Sequence, residues 1–309
     1  MVSSGNEGII LVTGASGHIG REVCRLLREA GRQFLAIDLN QDESQGVRAC
    51  DLRLRSQISP LFQDRSIGIV IHLAGVLPTA FLSDPLTGAD MNLIGSVELM
   101  RQSVAAGVKR FIFASSMSVY GSLYEHRPVT EDEAPAPDEV YGASKRVVEL
   151  MGEALSKKKV FEFVALRIAR VIGPGVGKTS SPWRSQIFDA PQSGPISIPF
   201  SPDARLSLVH VEDVAAMLFT LAEAFEVNFL VYNTPAEIWE VNRLKELIEK
   251  LRGIHVELGS EDAAGGPICD GSRFTQEFKF PSRRLRDRLS VAASGPTSVT
   301  TATSSVSRD

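Results

Sequence analysis

Cysteine is scarce in this chain: its 309 residues include three, Cys24, Cys50 and Cys269, widely separated and odd in number. With no CxxC pair and no metal-ligand grouping, they form neither a disulfide framework nor a thiolate site, and no metal is expected. Buried, reduced thiols in a cytoplasmic protein are the expectation. A large excess of one charge is also missing. The net charge of −4 gives no field that would draw nucleic acid or an anionic membrane surface. Long apolar runs are absent too, and the opening Met-Val-Ser-Ser-Gly-Asn-Glu lacks a basic region followed by an apolar core. Neither a leader nor a membrane anchor is therefore expected. Large apolar side chains give out at the other end, where residues 290–309 are mostly Ser, Thr, Ala and Val around Gly295-Pro296. That stretch is expected to be a disordered tail. Between these ends, a hydrophobic content of 43% is enough for a substantial core.

Strand-length apolar runs alternate with amphipathic stretches through the first half. Strands are predicted at 8–13, 33–37, 46–50, 67–74, 110–115 and 160–167, with helices at 18–30, 84–106 and 140–157. Alternation of this kind favours a parallel sheet with helices on both faces. The near-continuous apolar run Ile67-Gly-Ile-Val-Ile71 suits a strand covered on both sides. The proline-rich segment from Gly173 to Pro202 has almost no periodicity and reads as a long binding loop. Regular structure resumes with a strand at 206–211, a helix at 212–225 and a strand-helix-strand set from Phe229 to Leu258.

Two constellations carry chemistry. Thr13-Gly14-Ala15-Ser16-Gly17-His18-Ile19-Gly20 joins the first strand to the first helix. Its glycine spacing is not GxGxxG, but small residues there let helix N-terminal amides approach a pyrophosphate and let the helix pack closely. Asp38, eighteen residues beyond Gly20 at the end of the second strand, is placed to accept from ribose hydroxyls and to repel a 2′-phosphate. NAD is thus favoured over NADP. The second constellation is Tyr141-Gly-Ala-Ser-Lys145, whose tyrosine and lysine share one helix face. A neighbouring ammonium, together with a positively charged nicotinamide, would stabilise the phenolate and lower its pKa toward that of a usable base. His72, inside an apolar strand, is expected to be a satisfied core histidine.

These motifs, with Leu73-Ala74-Gly75, Asn92, Ser115-Ser116-Met-Ser-Val-Tyr-Gly121, Leu166-Arg167-Ile-Ala-Arg-Val-Ile-Gly-Pro174 and Leu208-Val-His-Val-Glu-Asp-Val214, occur in the order of a known family. The chain resembles the extended short-chain dehydrogenase/reductase superfamily over residues 8–290, in particular its UDP-glucose 4-epimerase-like NAD-dependent epimerase/dehydratase branch. The resemblance implies that Gly14, Gly17, His18, Ile19 and Gly20 cradle the NAD pyrophosphate, that Asp38 holds the adenosine ribose, and that Asp51 and Leu52 flank adenine. It implies that Leu73, Ala74 and Gly75 line the cofactor cleft and that Asn92 supports it. Ser116 would bind the reacting hydroxyl, with Ser118 as the alternative. Tyr141 would be the acid/base, and Lys145 would bind the nicotinamide ribose and tune the tyrosine.

Some family features are missing. Met117-Ser118 stands where sugar dehydratases place an Asp-Glu pair, and no cysteine of the reductive epimerases is present. Arg170 replaces an asparagine common in nucleotide-sugar epimerases. Arg205 lies one residue from the place of a phosphate-binding arginine, and the arginine of an RxGD segment is missing from 259–270. Arg170 and Arg205 are nevertheless carried as substrate-binding candidates. The resulting expectation is an α/β protein with a Rossmann-type doubly wound parallel sheet over 1–170, joined by a returning segment 204–225. The remaining parts of 171–289 would form a smaller substrate-binding domain. Its function is expected to be epimerisation of a nucleotide-linked sugar at C4, with a dehydrogenase or reductase of a sugar, uronate or other secondary alcohol as the alternative. The expected partner is a small-molecule substrate, with no nucleic acid and no membrane; a homodimer is admitted.

Overall fold

The computed structural model describes residues 8–63, 65–122, 127–176, 181–189, 194–259 and 265–294. The chain begins with β1 (Ile9–Thr13), α1 (His18–Glu29), β2 (Phe34–Asp38), β3 (Val47–Ala49), α2 (Arg55–Gln63) and β4 (Ile67–His72). Two short helices, α3 (Pro78–Ser83) and α4 (Pro85–Ala89), lead through a π turn at Asp90–Ile94 into α5 (Gly95–Ala105). β5 (Arg110–Ser116), β6 (Pro128–Val129), α6 (Val140–Lys157), β7 (Glu162–Ile168), β8 (Arg170–Ile172), α7 (Trp183–Gln186) and β9 (Ile196–Ile198) follow. The last third comprises β10 (Arg205–His210), α8 (Val211–Glu223), β11 (Val231–Asn233), β12 (Glu237–Glu240), α9 (Val241–Arg252), β13 (Val256–Leu258), β14 (Ile268–Cys269), α10 (Ser272–Phe278) and α11 (Leu285–Ser294).

Seven strands form one sheet in the order β11-β7-β5-β4-β1-β2-β3, and every pairing is parallel. Side chains alternate across a strand, so Ile10 and Val12 of β1 join one core layer while Leu11 joins the other. The first layer is covered by Val23 and Leu27 of α1 and by Val214 and Leu218 of α8. The second is covered by Leu99 of α5 and Val148 of α6. All six residues of β4 are buried, as a strand covered on both faces requires. Strand order reverses between β1 and β4, and ligands of open α/β sheets bind at the carboxyl ends beside such a reversal.

A separate core of Trp183, Ile187, Leu206, Leu244, Ile248, Val256, Leu285 and Leu289 underlies the smaller lobe. The expected returning segment 204–225 divides between the two: β10 joins β8 and β12 in a three-stranded sheet, while α8 packs against α1. The chain rejoins the large sheet later, with β11 beside β7. β11 is only three residues long, so it carries no period that would mark it as part of a parallel sheet.

The helix expected over 84–106 is interrupted by the π turn, and α2 and α3 were not expected at all. α2 contains Pro60 and buries only Ile58 and Leu61, too few for a visible stripe. The expected tail starts too early, because residues 290–294 belong to α11; residues 295–309 lie outside the described residues. No helix of the described residues is long and apolar enough to cross a membrane.

Candidate active site

Two cavities adjoin at the switch point. The first, about 390 Å³, is lined by Gly14, Ser16 and Gly17 of the β1–α1 loop, Asp38 at the end of β2, Cys50, Leu52 and Leu73–Val76. Gly14 has φ +68°, and a Cβ there would lie 2.7 Å from the Ala74 backbone nitrogen. Both conformation and space therefore require glycine. A Cβ on Gly20 would stand 2.1 Å from the Gly14 carbonyl oxygen, so this glycine brings α1 down onto the loop. Asp38 accepts from the Ser16 amide at 2.9 Å and the Leu39 amide at 2.7 Å. Ser16 Oγ is buried and has no hydrogen-bond partner among the described residues. The cradle left by the glycines, the carboxylate and this idle hydroxyl fit a dinucleotide.

The floor of the cleft is held by a continuous relay. Thr13 Oγ1 accepts from the Leu73 and Ala74 amides and so donates to His72 Nδ1 at 2.7 Å. That leaves the His72 Nε2–H to donate to Ser96 Oγ at 2.8 Å, and Ser96 donates to the Asn92 carbonyl. His72 is thus a satisfied core histidine, and burial pushes its pKa down to about 3. The Asn92 side chain, presented by the π turn, accepts from the Val76 amide and donates to the Val76 carbonyl. A Cβ on Gly75 would meet Asn92 Oδ1 at 2.9 Å, so the small residue admits this clamp.

The second cavity, about 370 Å³, shares Leu73, Gly75 and Val76 with the first. It is also lined by Ile19, Ser116, Ser118, Tyr141, Lys145, Arg170 and Arg184. Tyr141 and Lys145 lie on the buried face of α6. Lys145 Nζ donates to the Ala114 carbonyl at 3.0 Å and lies 4.8 Å from the centre of the Phe113 ring. Ser116 lines the same cavity as Tyr141 and donates to Ser118 Oγ at 3.2 Å. Burial drives the Tyr141 phenol up to about 12, against the Ser116 hydrogen bond. Burial likewise brings Lys145 down to about 8, against the attraction of Glu149. The expected lowering of the tyrosine pKa counted on the nicotinamide charge as well as Lys145, and the protein by itself raises it. Desolvation outweighs the hydrogen bond that opposes it.

Other expected residues fall elsewhere. Asp51 does not line the cleft; its carboxylate is bound to Arg53 at 2.6 Å, and Cys50 and Leu52 face the cavity instead. The His18 ring lies 3.1 Å from Arg21 Nη2 and lines neither cavity. Arg205 is exposed on β10 beside Glu237, Trp239, Glu240 and Arg243, because its place in the strand turns it away from the cleft. Arg184 was missed: it lies in the aperiodic proline-rich segment. Glu149 was missed as well, although it continues the Tyr141, Lys145 spacing by one more helical turn. It accepts from Ser115 at 2.6 Å and from Arg167 at 2.8 and 3.0 Å, tying α6 to β5 and β7.

Residues 10–233 match the NAD dependent epimerase/dehydratase family. The chain belongs to this family. UDP-glucose 4-epimerase of Yersinia pestis is 34% identical over 155 residues, which is 45% of this chain and 46% of that protein. The chain spans about half the length of the curated relatives it matches. A structure of MoeE5 in complex with UDP-glucose and NAD is similar at a TM-score of 0.78 and 27% identity, covering 93% of this chain and 98% of that one. L-threonine dehydrogenase from Phytophthora infestans reaches a TM-score of 0.84 at 20% identity, covering 93% and 98%, a likeness of fold.

Proposed function

We propose that the chain is an NAD-dependent epimerase of a nucleotide-linked sugar, acting at C4. The observation that carries this reading is the meeting of Ser116, Tyr141 and Lys145 in one cavity that shares Leu73, Gly75 and Val76 with the Gly14–Asp38 cradle. Gly14, Gly17, Gly20 and Asp38 would hold the dinucleotide, with Leu52 and Leu73–Gly75 along its cleft. NAD, when bound, supplies a hydride acceptor and a positive charge. Ser116 would hold the reacting hydroxyl beside the phenol, and Tyr141 would take its proton as the carbinol becomes a ketone, then return it. Because burial keeps the free phenol protonated at neutral pH, Tyr141 depends on added positive charge beside Lys145 to act as a base.

A net dehydrogenase is the second reading. It is favoured by the position of Arg205, a phosphate-binding candidate that lies outside the Tyr141 cavity. Incubation with UDP-glucose, UDP-glucuronate and UDP-N-acetylglucosamine, then with free uronates and hexoses plus excess NAD, separates the two. An epimerase oxidises and re-reduces the same molecule, so an isomer forms with no accumulation of absorbance near 340 nm. NADH in proportion to product, with no isomer, contradicts the proposal and supports the dehydrogenase.

A further inference from the structure

Two arginines of the Tyr141 cavity lack the carboxylate partner that the most deeply buried arginines have. Arg167 meets Glu149, Arg110 meets Glu162, and Arg288 meets Glu212 and Asp213. Arg170 and Arg184, both half-buried, meet no carboxylate among the described residues, and the Nε of each is buried without a hydrogen-bond partner there, as is that of Arg252 outside the cavity. Both line the Tyr141 cavity. We propose that Arg170 and Arg184 together bind an oxyanion carried by the substrate, a carboxylate or a phosphate, in the chamber that holds Ser116 and Tyr141. The proposal rests on reading that chamber as the substrate site.

Both side chains are held by well-fixed surroundings. Arg170 opens β8, lies 4.7 Å from the centre of the Phe200 ring, and spends one donor on the Gly265 carbonyl at 3.2 Å. Phe200 meets Trp183 edge to face, and Trp183 is buried at the start of α7, immediately before Arg184. The Arg184 carbonyl accepts from the Gly173 amide at 3.0 Å, which pins this turn to the end of β8. Burial and the neighbouring Arg184 together push Arg170 down to about 10, and burial also lowers Arg184. Two like charges largely held from water, with no counter-ion among the described residues, repel each other. An incoming oxyanion removes that repulsion and satisfies the idle donors, and a guanidinium fork matches carboxylate and phosphate geometry. An acidic group so placed sits in the same chamber as the reacting hydroxyl, which selects a uronate, a hydroxy acid or a phosphorylated sugar over a neutral one.

Calorimetric titration of the NAD-loaded protein tests this with UDP-glucuronate, UDP-glucose, free glucuronate and free glucose, in wild type, Arg170→Gln and Arg184→Gln. The expected result is at least a ten-fold loss of affinity for the acidic ligands in each variant, with NAD affinity unchanged within two-fold. Losses for glucuronate and UDP-glucuronate alone assign the site to a carboxylate; equal losses for both UDP-sugars assign it to the diphosphate. Melting curves accompany each titration, and Arg184→Lys, which keeps charge without the fork, should lose less. Unchanged affinities in the folded variants, or no binding of any acidic ligand to the wild type, overturns the proposal. Product assays run in parallel keep the two readings apart. Arginine-dependent binding without isomer formation defeats the epimerase alone, and isomer formation with arginine-independent affinity defeats the anion site alone.

Discussion

At Lys145, burial and charge oppose each other. From 10.5 to about 8, at roughly 1.4 kcal/mol per pH unit, the buried ammonium costs the folded state about 3 kcal/mol. The folded pKa is lowered, so the unfolded chain binds more protons between pH 8 and 10.5, and stability rises with pH across that window. Lys145→Met should therefore melt above the wild type at pH 7, with the difference shrinking as pH approaches 10. A difference that stays constant from pH 7 to 10 would show that the ammonium is not under this strain. Asp38 acts through charge of the other sign. Its carboxylate faces the cradle beside the idle Ser16 hydroxyl, and it should favour NAD over NADP by at least ten-fold in Kd, about 1.4 kcal/mol. Paired titrations of the two cofactors check this, and equal affinities would remove Asp38 from the ribose site. Asp38, Tyr141 and Lys145 were readable because their positions follow from helix and strand spacing. Asp51 and Arg205 line neither cavity; motif spacing along the chain does not report which way a side chain turns.

Among the elements, α6 sets the height of the chemistry above the sheet. A Cβ on Gly152 would lie 2.3 Å from Cδ2 and Cε2 of Phe163, so glycine lets the helix rest on the aromatic layer. Phe163 stacks on Phe111 and Phe113, and the same Phe113 carries the Lys145 ammonium. Gly152→Ala gains about 1 kcal/mol of helix propensity but overpacks this layer at a cost of roughly 1–3 kcal/mol. The expected outcome is a lower denaturant midpoint and weaker NAD binding, as Lys145 is lifted; a stabilised variant with unchanged NAD affinity would refute the contact. β1 to β5, β7 and β10, with α1, α5 and α6, were legible from periodicity, whereas β6, β8, β9 and β14, two or three residues each, were not. The π turn was not, since it interrupts a helical pattern without any proline or glycine signal of its own, yet it delivers Asn92 to Val76. Local pattern reports which face is apolar, whereas the π turn is decided by the clamp on Val76.

For the whole molecule, two lobes with separate cores enclose the cleft. The large sheet and its β1–α1 loop supply the glycine-rich cradle and Ser116, α6 supplies Tyr141 and Lys145, and Arg170 and Arg184 come from the segments beyond β7. The doubly wound sheet was legible because its alternation runs over many elements. The partition of the last third was not, because β10 and β11 are both short apolar runs and only tertiary pairing sends one to each sheet. The account stands most directly on the phenol of Tyr141. The decisive measurement is turnover of the NAD-loaded Tyr141→Phe variant beside the wild type, on the substrate the wild type converts, with melting temperature and NAD affinity recorded for both. The account predicts an intact fold, NAD affinity within a few-fold and turnover reduced by about 10²-fold or more; near-wild-type turnover in the folded, NAD-bound variant would contradict it.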